Sequence, residues 1–212
     1  MPLPIRICYI TDRKSFPTGS WESFVLSVIR AGIDLIQVRE KDLPTRELLA
    51  VTRKFVDAAK GTATRIVVNG RLDVALAAGA AGVHLGNQSL PGSAVRRIVS
   101  SSFLVGASCH SLEEAKHAEA SGADYIAFGP VFETASKLQY GPSLGLAKLR
   151  EAAEKVSIPV LALGGINVER VKSCLDAGAA GVAGISIFQS CDSIEARAQE
   201  LRSLFDPGNE PA

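Results

Sequence analysis

Short apolar runs alternate with longer amphipathic stretches along almost the whole chain. The apolar runs contain few polar residues, as in Tyr125 to Phe128, which is typical of parallel strands buried on both faces. The stretches between them place apolar residues three or four positions apart, as helices with one buried face do. The pattern predicts strands over residues 5–10, 35–38, 65–68, 83–85, 103–107, 125–128, 159–163 and 182–187.

Several predicted helices begin at residues that favour a helix start. Ser20, Ser111 and Asn167 are good N-cap residues, and the sequence from Ser111 matches the capping box. The longest connection covers about residues 129–144, and loops of that length in compact domains often carry function. Further helices are predicted from Thr45, Arg71, Leu146 and Ser193.

A phrase of small residues and glycine occurs four times, each time between a helical stretch and an apolar run. Its first glycine is suited to ending a helix, because glycine adopts a left-handed backbone at little cost. One strand and one helix take about 25 residues, so an interval of 43 to 56 residues holds about two such units. A single copy would be ordinary, whereas four at this spacing predict a (β/α)8 TIM barrel of the α/β class. The four glycines are Gly32, Gly79, Gly122 and Gly178.

Length and composition fit one globular domain. The chain has 212 residues, 47% of them hydrophobic, and the evenly spread repeat favours one large domain over two small ones. We expect a single barrel domain over residues 1–205 and a disordered tail over residues 206–212. With 23 basic and 22 acidic residues, the net charge of +1 gives no surplus that would favour nucleic acid.

The cysteines and the apolar runs bear on cellular location. No two cysteines form a C-x-x-C pair, so neither a zinc site nor a disulfide framework is indicated, and free buried thiols are expected. Residues 1–4 lack the features of a signal peptide, and the longest uncharged run, over residues 74–95, is interrupted by glycine and proline. These features predict a cytoplasmic protein without a membrane span.

Chemistry in such barrels lies at the carboxyl ends of the strands, where the following loops form one face. His84 there fits either a ligand contact or a hydrogen-bonded histidine of the barrel end, and His110, just ahead of a helix cap, is expected to be structural. The candidates at these ends are Gln37, Arg39, Lys41, Asn69, His84, Gly86, Ser108, His110, Thr134, Ser136, Lys137, Gly164, Gly165, Gly184 and Ser186.

The loops after strands seven and eight have the features of a phosphate site. Gly164 and Gly165 precede a predicted helix and, with Gly184 and Ser186, offer backbone N–H groups without side chains in the way. Loops at this position are the common phosphate site of these barrels. Ordinary tight turns are the alternative interpretation.

Three cations are predicted on the same face. Alternation along strand two directs Gln37, Arg39 and Lys41 to one side, and Lys137 follows strand six. A solvated lysine is the alternative for Lys41, whereas Arg39 beside Gln37 favours a pocket. Two phosphate-binding regions across one barrel mouth indicate two phosphorylated ligands, or one ligand phosphorylated at both ends.

The motifs around these candidates resemble those of thiamine phosphate synthases, in order and over almost the whole chain. The resemblance implies an enzyme that joins hydroxymethylpyrimidine pyrophosphate to a thiazole phosphate and releases pyrophosphate. That reaction is thought to pass through a pyrimidine cation, so the enzyme mainly stabilises the departing pyrophosphate and positions the thiazole nitrogen. The segments that carry the resemblance are Gln37–Asp42, Val68–Asn69, Gly82–Gly86, Gly106–Ser108, Phe128–Phe132 with Thr134, Ser136 and Lys137, and Gly164–Ile166 with Ser186.

The resemblance also implies a role for each matching residue. The implied partners of the protein are the two small phosphorylated substrates, with neither nucleic acid nor membrane. The resemblance leaves the oligomeric state open. The implied catalytic residues are Arg39, Lys41, Ser108 and Lys137. The implied substrate-binding residues are Gln37, Asn69, His84, Thr134, Ser136, Gly164, Gly165, Gly184 and Ser186.

The chain departs from the synthase pattern at two positions. The family carries aspartates that hold Mg²⁺ after the strand-three asparagine and in the loop after strand four, where this chain has Gly70 and Ser89. Mg²⁺ prefers oxygen ligands, commonly one or two carboxylates together with substrate phosphates. The resemblance therefore implies a Mg²⁺ cofactor, but both of its expected protein carboxylates are missing.

Two alternatives to a synthase follow from these departures. The segment from Val68 to Arg71 resembles the sister branch, the thiazole tautomerases, although that branch uses a histidine where this chain has Pro130. A tautomerase-like isomerase would need another general base, with His84 or Glu133 as candidates. The third hypothesis is a non-catalytic paralogue that binds thiazole phosphate without turnover.

Overall fold

Eight parallel strands close into a barrel in the computed structural model, which describes residues 5–16, 20–133 and 142–205. The strands follow one another around the barrel in sequence order, and the first pairs with the last, with Cys8 opposite Ala183. The predicted (β/α)8 barrel is confirmed. The strands are β1 (Ile7–Ile10), β2 (Leu35–Val38), β3 (Arg65–Asn69), β4 (Gly82–Leu85), β5 (Leu104–Cys109), β6 (Tyr125–Phe128), β7 (Val160–Leu163) and β8 (Gly181–Gly184).

Helices follow the strands and cover the outside of the barrel. Three predicted N-caps are confirmed, because the side chains of Ser20, Ser111 and Asn167 each accept a hydrogen bond from the backbone N–H three residues on. The helices are α1 (Trp21–Arg30), α2 (Thr45–Ala59), α3 (Leu72–Ala78), α4 (Gly92–Arg96), α5 (Leu112–Ala120), α6 (Gly145–Lys155), α7 (Val168–Asp176), α8 (Ser186–Gln189) and α9 (Ile194–Phe205).

The glycine of each repeated phrase adopts the left-handed backbone that the sequence predicts. The φ angles are 75°, 67°, 86° and 88°, and each glycine lies between the end of a helix and the next strand. A side chain would be strained at all four positions. The glycines are Gly32, Gly79, Gly122 and Gly178.

Two copies of the phrase contain a second glycine, which lets neighbouring strands approach closely. A Cβ on Gly82 would lie 2.2 Å from the carbonyl oxygen of Leu104, and one on Gly181 would lie 2.4 Å from that of Arg6. Real Cβ atoms do not come this near to backbone, so these starts of β4 and β8 accept no side chain. The first glycine of each phrase thus ends a helix, and the second glycine, in the two copies that contain it, lets the strands pack closely enough to close the barrel.

The core has an inner and an outer layer. Alternate residues along each strand point inward and outward, and a compact inner cluster including Cys8, Leu35, Val67 and Leu161 fills the barrel. A larger outer cluster lies between the sheet and the helices. Inward alternation continues toward the carboxyl ends and places the polar candidates of β2 to β5 inside the mouth.

The structure moves two predicted strand ends and adds one helix. Strand β8 ends at Gly184 instead of residue 187, because the chain turns into α8, where Ile187 and Phe188 are buried. The alternation of Ile185 and Ile187 is equally compatible with a strand. Helix α4 was not predicted, since five residues show no helical period. Strand β5 extends to Cys109, so Ser108 lies within it.

The cysteines are free thiols, as predicted: Cys8, Cys109 and Cys174 are buried and Cys191 is partly buried. In the described part of the chain, no helix is long and apolar enough to cross a bilayer. The predicted tail over residues 206–212 lies outside the described residues and stays a prediction.

Candidate active site at the barrel mouth

The inward positions of β2 to β5 bring four predicted site residues to the mouth. Gln37 and His84 are buried, and Asn69 and His84 are register partners on adjacent strands. Ser108 contacts His84 from the next strand, with 2.9 Å between the serine Oγ and Nε2 of the ring. Residues that are up to 71 positions apart in the sequence thus lie on one polar floor inside the mouth.

His84 is held between two hydroxyl groups. Its Nδ1 lies 3.1 Å from the hydroxyl of Tyr125, and its Nε2 faces Ser108. Burial, with a smaller contribution from the nearby positive charge of Arg39, lowers the pKa of His84 to about 4. His84 is therefore neutral near neutral pH, and both ring nitrogens are hydrogen-bonded, as one of the two sequence interpretations expected.

The segment after β2 is pinned by the loop after β1. The Arg39 N–H donates to the Thr11 hydroxyl at 2.9 Å, and the Thr11 N–H donates to the carbonyl of Gln37 at 2.9 Å. Both oxygens of buried Glu40 accept from the backbone N–H of Arg13 at 3.2 Å. The pKa of Glu40 is raised overall, because burial outweighs the hydrogen bonds from Thr11 and Arg13, which lower it. These contacts fix where Arg39 leaves the strand.

The two cations of this segment differ in exposure. Arg39 is partly buried, whereas Lys41 is exposed. The positive charge of Arg39 contributes to the lowered pKa of His84, and the pocket role of Arg39 stays a prediction. For Lys41 the structure is compatible with either a ligand contact or a solvated side chain.

The loop after β7 requires both of its glycines. Gly164 and Gly165 have φ angles of 95° and 63°. A Cβ on Gly164 would lie 2.6 Å from Cα of Pro130, and one on Gly165 would lie 2.6 Å from the carbonyl oxygen of Glu133. The loop is thus packed tightly under the chain that follows β6, and the backbone N–H of Phe132 bonds to the carbonyl of Gly164 at 3.0 Å.

A cavity of about 350 Å³ opens between the loops after β7 and β8. The positive end of α7 and the start of α8 both border it, and such helix N-termini favour anions. Of the four residues that the sequence predicts for a phosphate site, Ser186 lines this cavity, whereas Gly164, Gly165 and Gly184 are not among its lining residues. The lining residues are Ile166, Asn167, Val168, Glu169, Ser186, Ile187, Ser190 and Arg197.

The two positions that lack the expected aspartates lie side by side. A Cβ on Gly70 would come within 3.3 Å of Ser89 Oγ, although the two residues belong to different loops. Gly70 has a φ of 67°, and Ser89 Oγ accepts from the N–H of Gly86 at 2.9 Å. One ion could face both positions, but a glycine and a serine supply no carboxylate, and the described residues contain no cluster of acidic, histidine or cysteine ligands for a metal. The residues present do not fit a protein-held Mg²⁺ ion.

Of the remaining candidates, His110 has a structural contact, and three lie outside the described part of the chain. His110 donates from Nδ1 to the carbonyl of Gly129 and ties β5 to the loop after β6, in line with its expected structural role. Sequence reasoning missed Tyr125, which looks like an ordinary member of an apolar run, and Thr11, which follows the first predicted strand without a further signal. Thr134, Ser136 and Lys137 lie outside the described residues and stay predictions.

Fold and site define a class: (β/α)8 barrels with a polar floor inside the mouth and a cavity beside the loops after β7 and β8. A family model described as thiamine monophosphate synthase matches residues 7–188. The chain belongs to this thiamine monophosphate synthase family.

Individual relatives agree with the family match. The thiamine-phosphate synthase of Methanoculleus marisnigri is 46% identical over 195 residues, 92% of this chain and 92% of that protein. That of Methanocella arvoryzae is 42% identical over 177 residues, 84% of each chain. The structure of thiamine phosphate pyrophosphorylase from Pyrococcus furiosus superimposes with a TM-score of 0.85 at 34% identity and covers 96% of each chain.

The low pKa of His84 makes a prediction about stability. As the pH falls, the unfolded chain protonates His84 near the ordinary pKa of 6.5, whereas the folded protein does so only near a pH of about 4. The stabilisation that His84 gives the folded state is therefore complete above pH 6.5 and is lost as the pH falls toward about 4. Between about pH 7.5 and about pH 5, the wild type should lose about 2 kcal/mol more unfolding free energy than His84→Gln. Urea unfolding at both pH values measures this.

The matched control for this measurement is His117→Gln, which removes an exposed histidine. Groups that titrate in all three proteins, such as Glu40, cancel in the comparison. His117→Gln should retain the pH dependence of the wild type. An equal loss in wild type and His84→Gln contradicts the buried, neutral state of His84.

Proposed function

We propose that the protein is a thiamine phosphate synthase, which joins hydroxymethylpyrimidine pyrophosphate to thiazole phosphate and releases pyrophosphate. The observation that supports the proposal is one barrel face with the backbone-held segment of Arg39 after β2 and a cavity bordered by the N-terminus of α7 after β7 and β8. The names of the relatives point to the same reaction. A cytoplasmic location, with its reducing conditions, suits the free thiols.

The proposed reaction requires no proton transfer by the enzyme. The carbon–oxygen bond to pyrophosphate breaks, and its electron pair leaves with pyrophosphate. The thiazole nitrogen then uses its lone pair to form the new bond to the methylene carbon. Neither step moves a proton, which agrees with a neutral His84 whose two nitrogens are already hydrogen-bonded.

Each side of the mouth has its own task in this proposal. Arg39, assisted by Lys41 and the predicted Lys137, stabilises the charge that grows on the departing pyrophosphate. The N-terminus of α7, together with the predicted Gly164, Gly165, Gly184 and Ser186, holds the thiazole phosphate and so positions the attacking nitrogen. The remaining residues of the floor, Gln37, Asn69 and Ser108, offer hydrogen bonds to the pyrimidine.

The resemblance to synthases implies Mg²⁺, yet Gly70 and Ser89 supply no carboxylate for it. We therefore assign no step of the reaction to a metal ion held by this chain. Any Mg²⁺ in the reaction would be bound mainly by the pyrophosphate oxygens, which are ligands that Mg²⁺ accepts readily.

The two alternatives have less support from the structure. For a tautomerase-like isomerase, His84 is a poor general base because its pKa is near 4, and Glu133 is exposed. Arg71 of the tautomerase-like segment bonds to Asp73 at 2.7 Å and to Thr45 at 3.1 Å. The missing carboxylates are the one observation that favours a binding paralogue without turnover.

The proposal predicts product formation that depends on Arg39. Incubating both substrates with Mg²⁺ and the protein should yield thiamine phosphate, and Arg39→Ala should lower kcat/KM by about 100-fold because it removes a positive charge at the leaving group. The control is Lys60→Ala, which removes an exposed cation just after α2, at the other end of the barrel. It should leave the rate unchanged.

Three results would contradict the synthase. No product at high enzyme concentration excludes it, and calorimetric binding of thiazole phosphate under those conditions would identify the binding paralogue. Proton exchange on the thiazole carboxylate phosphate, followed by NMR and faster than in buffer, would identify the tautomerase. Full activity of Arg39→Ala would remove the assigned role of that residue.

The neighbouring positions Gly70 and Ser89 predict a gain of metal dependence. In the double variant Gly70→Asp with Ser89→Asp, Mg²⁺ should strengthen pyrophosphate binding about 10-fold more than it does in the wild type. The reason is that two carboxylates are oxygen ligands of the kind that Mg²⁺ prefers. Either single change should do much less, since both act on one ion. At Gly70, aspartate meets a left-handed backbone that costs about 1 kcal/mol.

The matched control is Gly70→Asn with Ser89→Asn, which has the same shape and the same backbone cost but no charge. Calorimetric titration of pyrophosphate with and without Mg²⁺ compares the two double variants. Equal Mg²⁺ dependence in both, with normal folding, would show that these positions do not form a metal site.

A further inference from the structure

Tyr125 lies inside the barrel in space that Gly106 leaves open. A Cβ on Gly106 would lie 2.2 Å from Cζ and 2.4 Å from the hydroxyl oxygen of Tyr125, so only glycine admits the ring. The tyrosine is fully buried and belongs to the inner cluster. Its hydroxyl group nevertheless reaches a polar partner, Nδ1 of His84, at 3.1 Å.

The direction of this hydrogen bond follows from burial. Burial raises the pKa of the Tyr125 hydroxyl, which therefore keeps its proton. Among the residues that the structure describes, Nδ1 of His84 is its hydrogen-bond partner. If Nδ1 carried a hydrogen, the buried hydroxyl would have to accept, and its own hydrogen would lose this acceptor, which is costly in an apolar interior. The favourable arrangement is a hydroxyl that donates to an unprotonated Nδ1.

The second nitrogen of the ring is then determined. A neutral imidazole with a bare Nδ1 carries its hydrogen on Nε2, and Nε2 lies 2.9 Å from Ser108 Oγ. The ring therefore donates to the serine oxygen. Ser108 is partly exposed at the mouth, and its own hydrogen remains free to bond elsewhere.

We propose that Tyr125 is a positioning residue that fixes His84 as the Nε2–H tautomer and so presents the Ser108 hydroxyl as a hydrogen-bond donor to the bound substrate. Ser108 is thus a donor and not a nucleophile activated by His84, since an Nε2 that donates cannot take the serine proton. The kinetic consequence rests on the proposed synthase function, whereas the tautomer is independent of it.

NMR of protein labelled with ¹⁵N in histidine tests the tautomer directly. The chain has three histidines, and His84→Gln assigns the signals. At neutral pH the wild type should show a bare Nδ1 and a protonated Nε2 at His84, and Tyr125→Phe should populate the other tautomer. A wild-type ring protonated on Nδ1 would overturn the proposal.

Kinetics test the consequence for Ser108. Tyr125→Phe should lower kcat about 10-fold with little change in KM, and adding it to Ser108→Ala should cause no further loss, because both act through one hydroxyl. The matched control is Tyr9→Phe, another buried tyrosine, whose hydroxyl oxygen accepts a bond from Gln189 at 3.2 Å outside this chain of contacts. It should retain wild-type kcat. Wild-type kcat in Tyr125→Phe, or losses that simply add, would overturn the positioning role.

Conservative variants of His84 keep the test independent of the stability of Tyr125→Phe. His84→Gln retains an N–H that can reach Ser108 and should keep several-fold more activity than His84→Met, which has no donor. Equal activity in the two variants would contradict a donor role for Nε2. If the wild type makes no thiamine phosphate, the synthase proposal fails, but the NMR result still decides the tautomer.

Discussion

The closure of eight short parallel strands into one barrel is the constraint on which the remaining structure depends. Closure within about 200 residues brings strands so near that Gly82 and Gly181 accept no side chain. It also brings the carboxyl ends of all strands to one mouth. Gln37, His84 and the loop at Gly164 meet there only because the sheet is closed.

The contacts described inside the mouth suit a site that holds charge better than one that moves protons. Its arginine segment is fixed by the loop after β1, through Thr11 and buried Glu40. Its histidine is neutral and hydrogen-bonded at both nitrogens. Such a site suits a reaction in which a charged group leaves and a lone pair attacks, because a preorganised charge stabilises the transition state without rearrangement.

The sequence allowed most of the fold to be predicted but only part of the site. Strands β2 and β6 and the capped starts of α1, α5 and α7 were predicted correctly, because apolar runs and capping residues are local signals. Helix α4 and the end of β8 were not, since their local patterns are too short or fit a strand equally well.

The contacts of Tyr125 could not be found in this way, because the space for its ring is created by a glycine on another strand. The contact between positions 70 and 89 is likewise a property of the closed barrel. Family resemblance identified both positions, but it did not reveal the left-handed backbone at Gly70.

The central claim is that two phosphorylated ligands bind side by side at one mouth. Calorimetric titration of inorganic pyrophosphate into the protein, alone and with saturating thiazole phosphate, tests it most directly. We predict that pyrophosphate binds equally well or more tightly when thiazole phosphate is present, and that Arg39→Ala weakens pyrophosphate alone while Ser186→Ala weakens thiazole phosphate alone. Simple competition between the two ligands would contradict the claim.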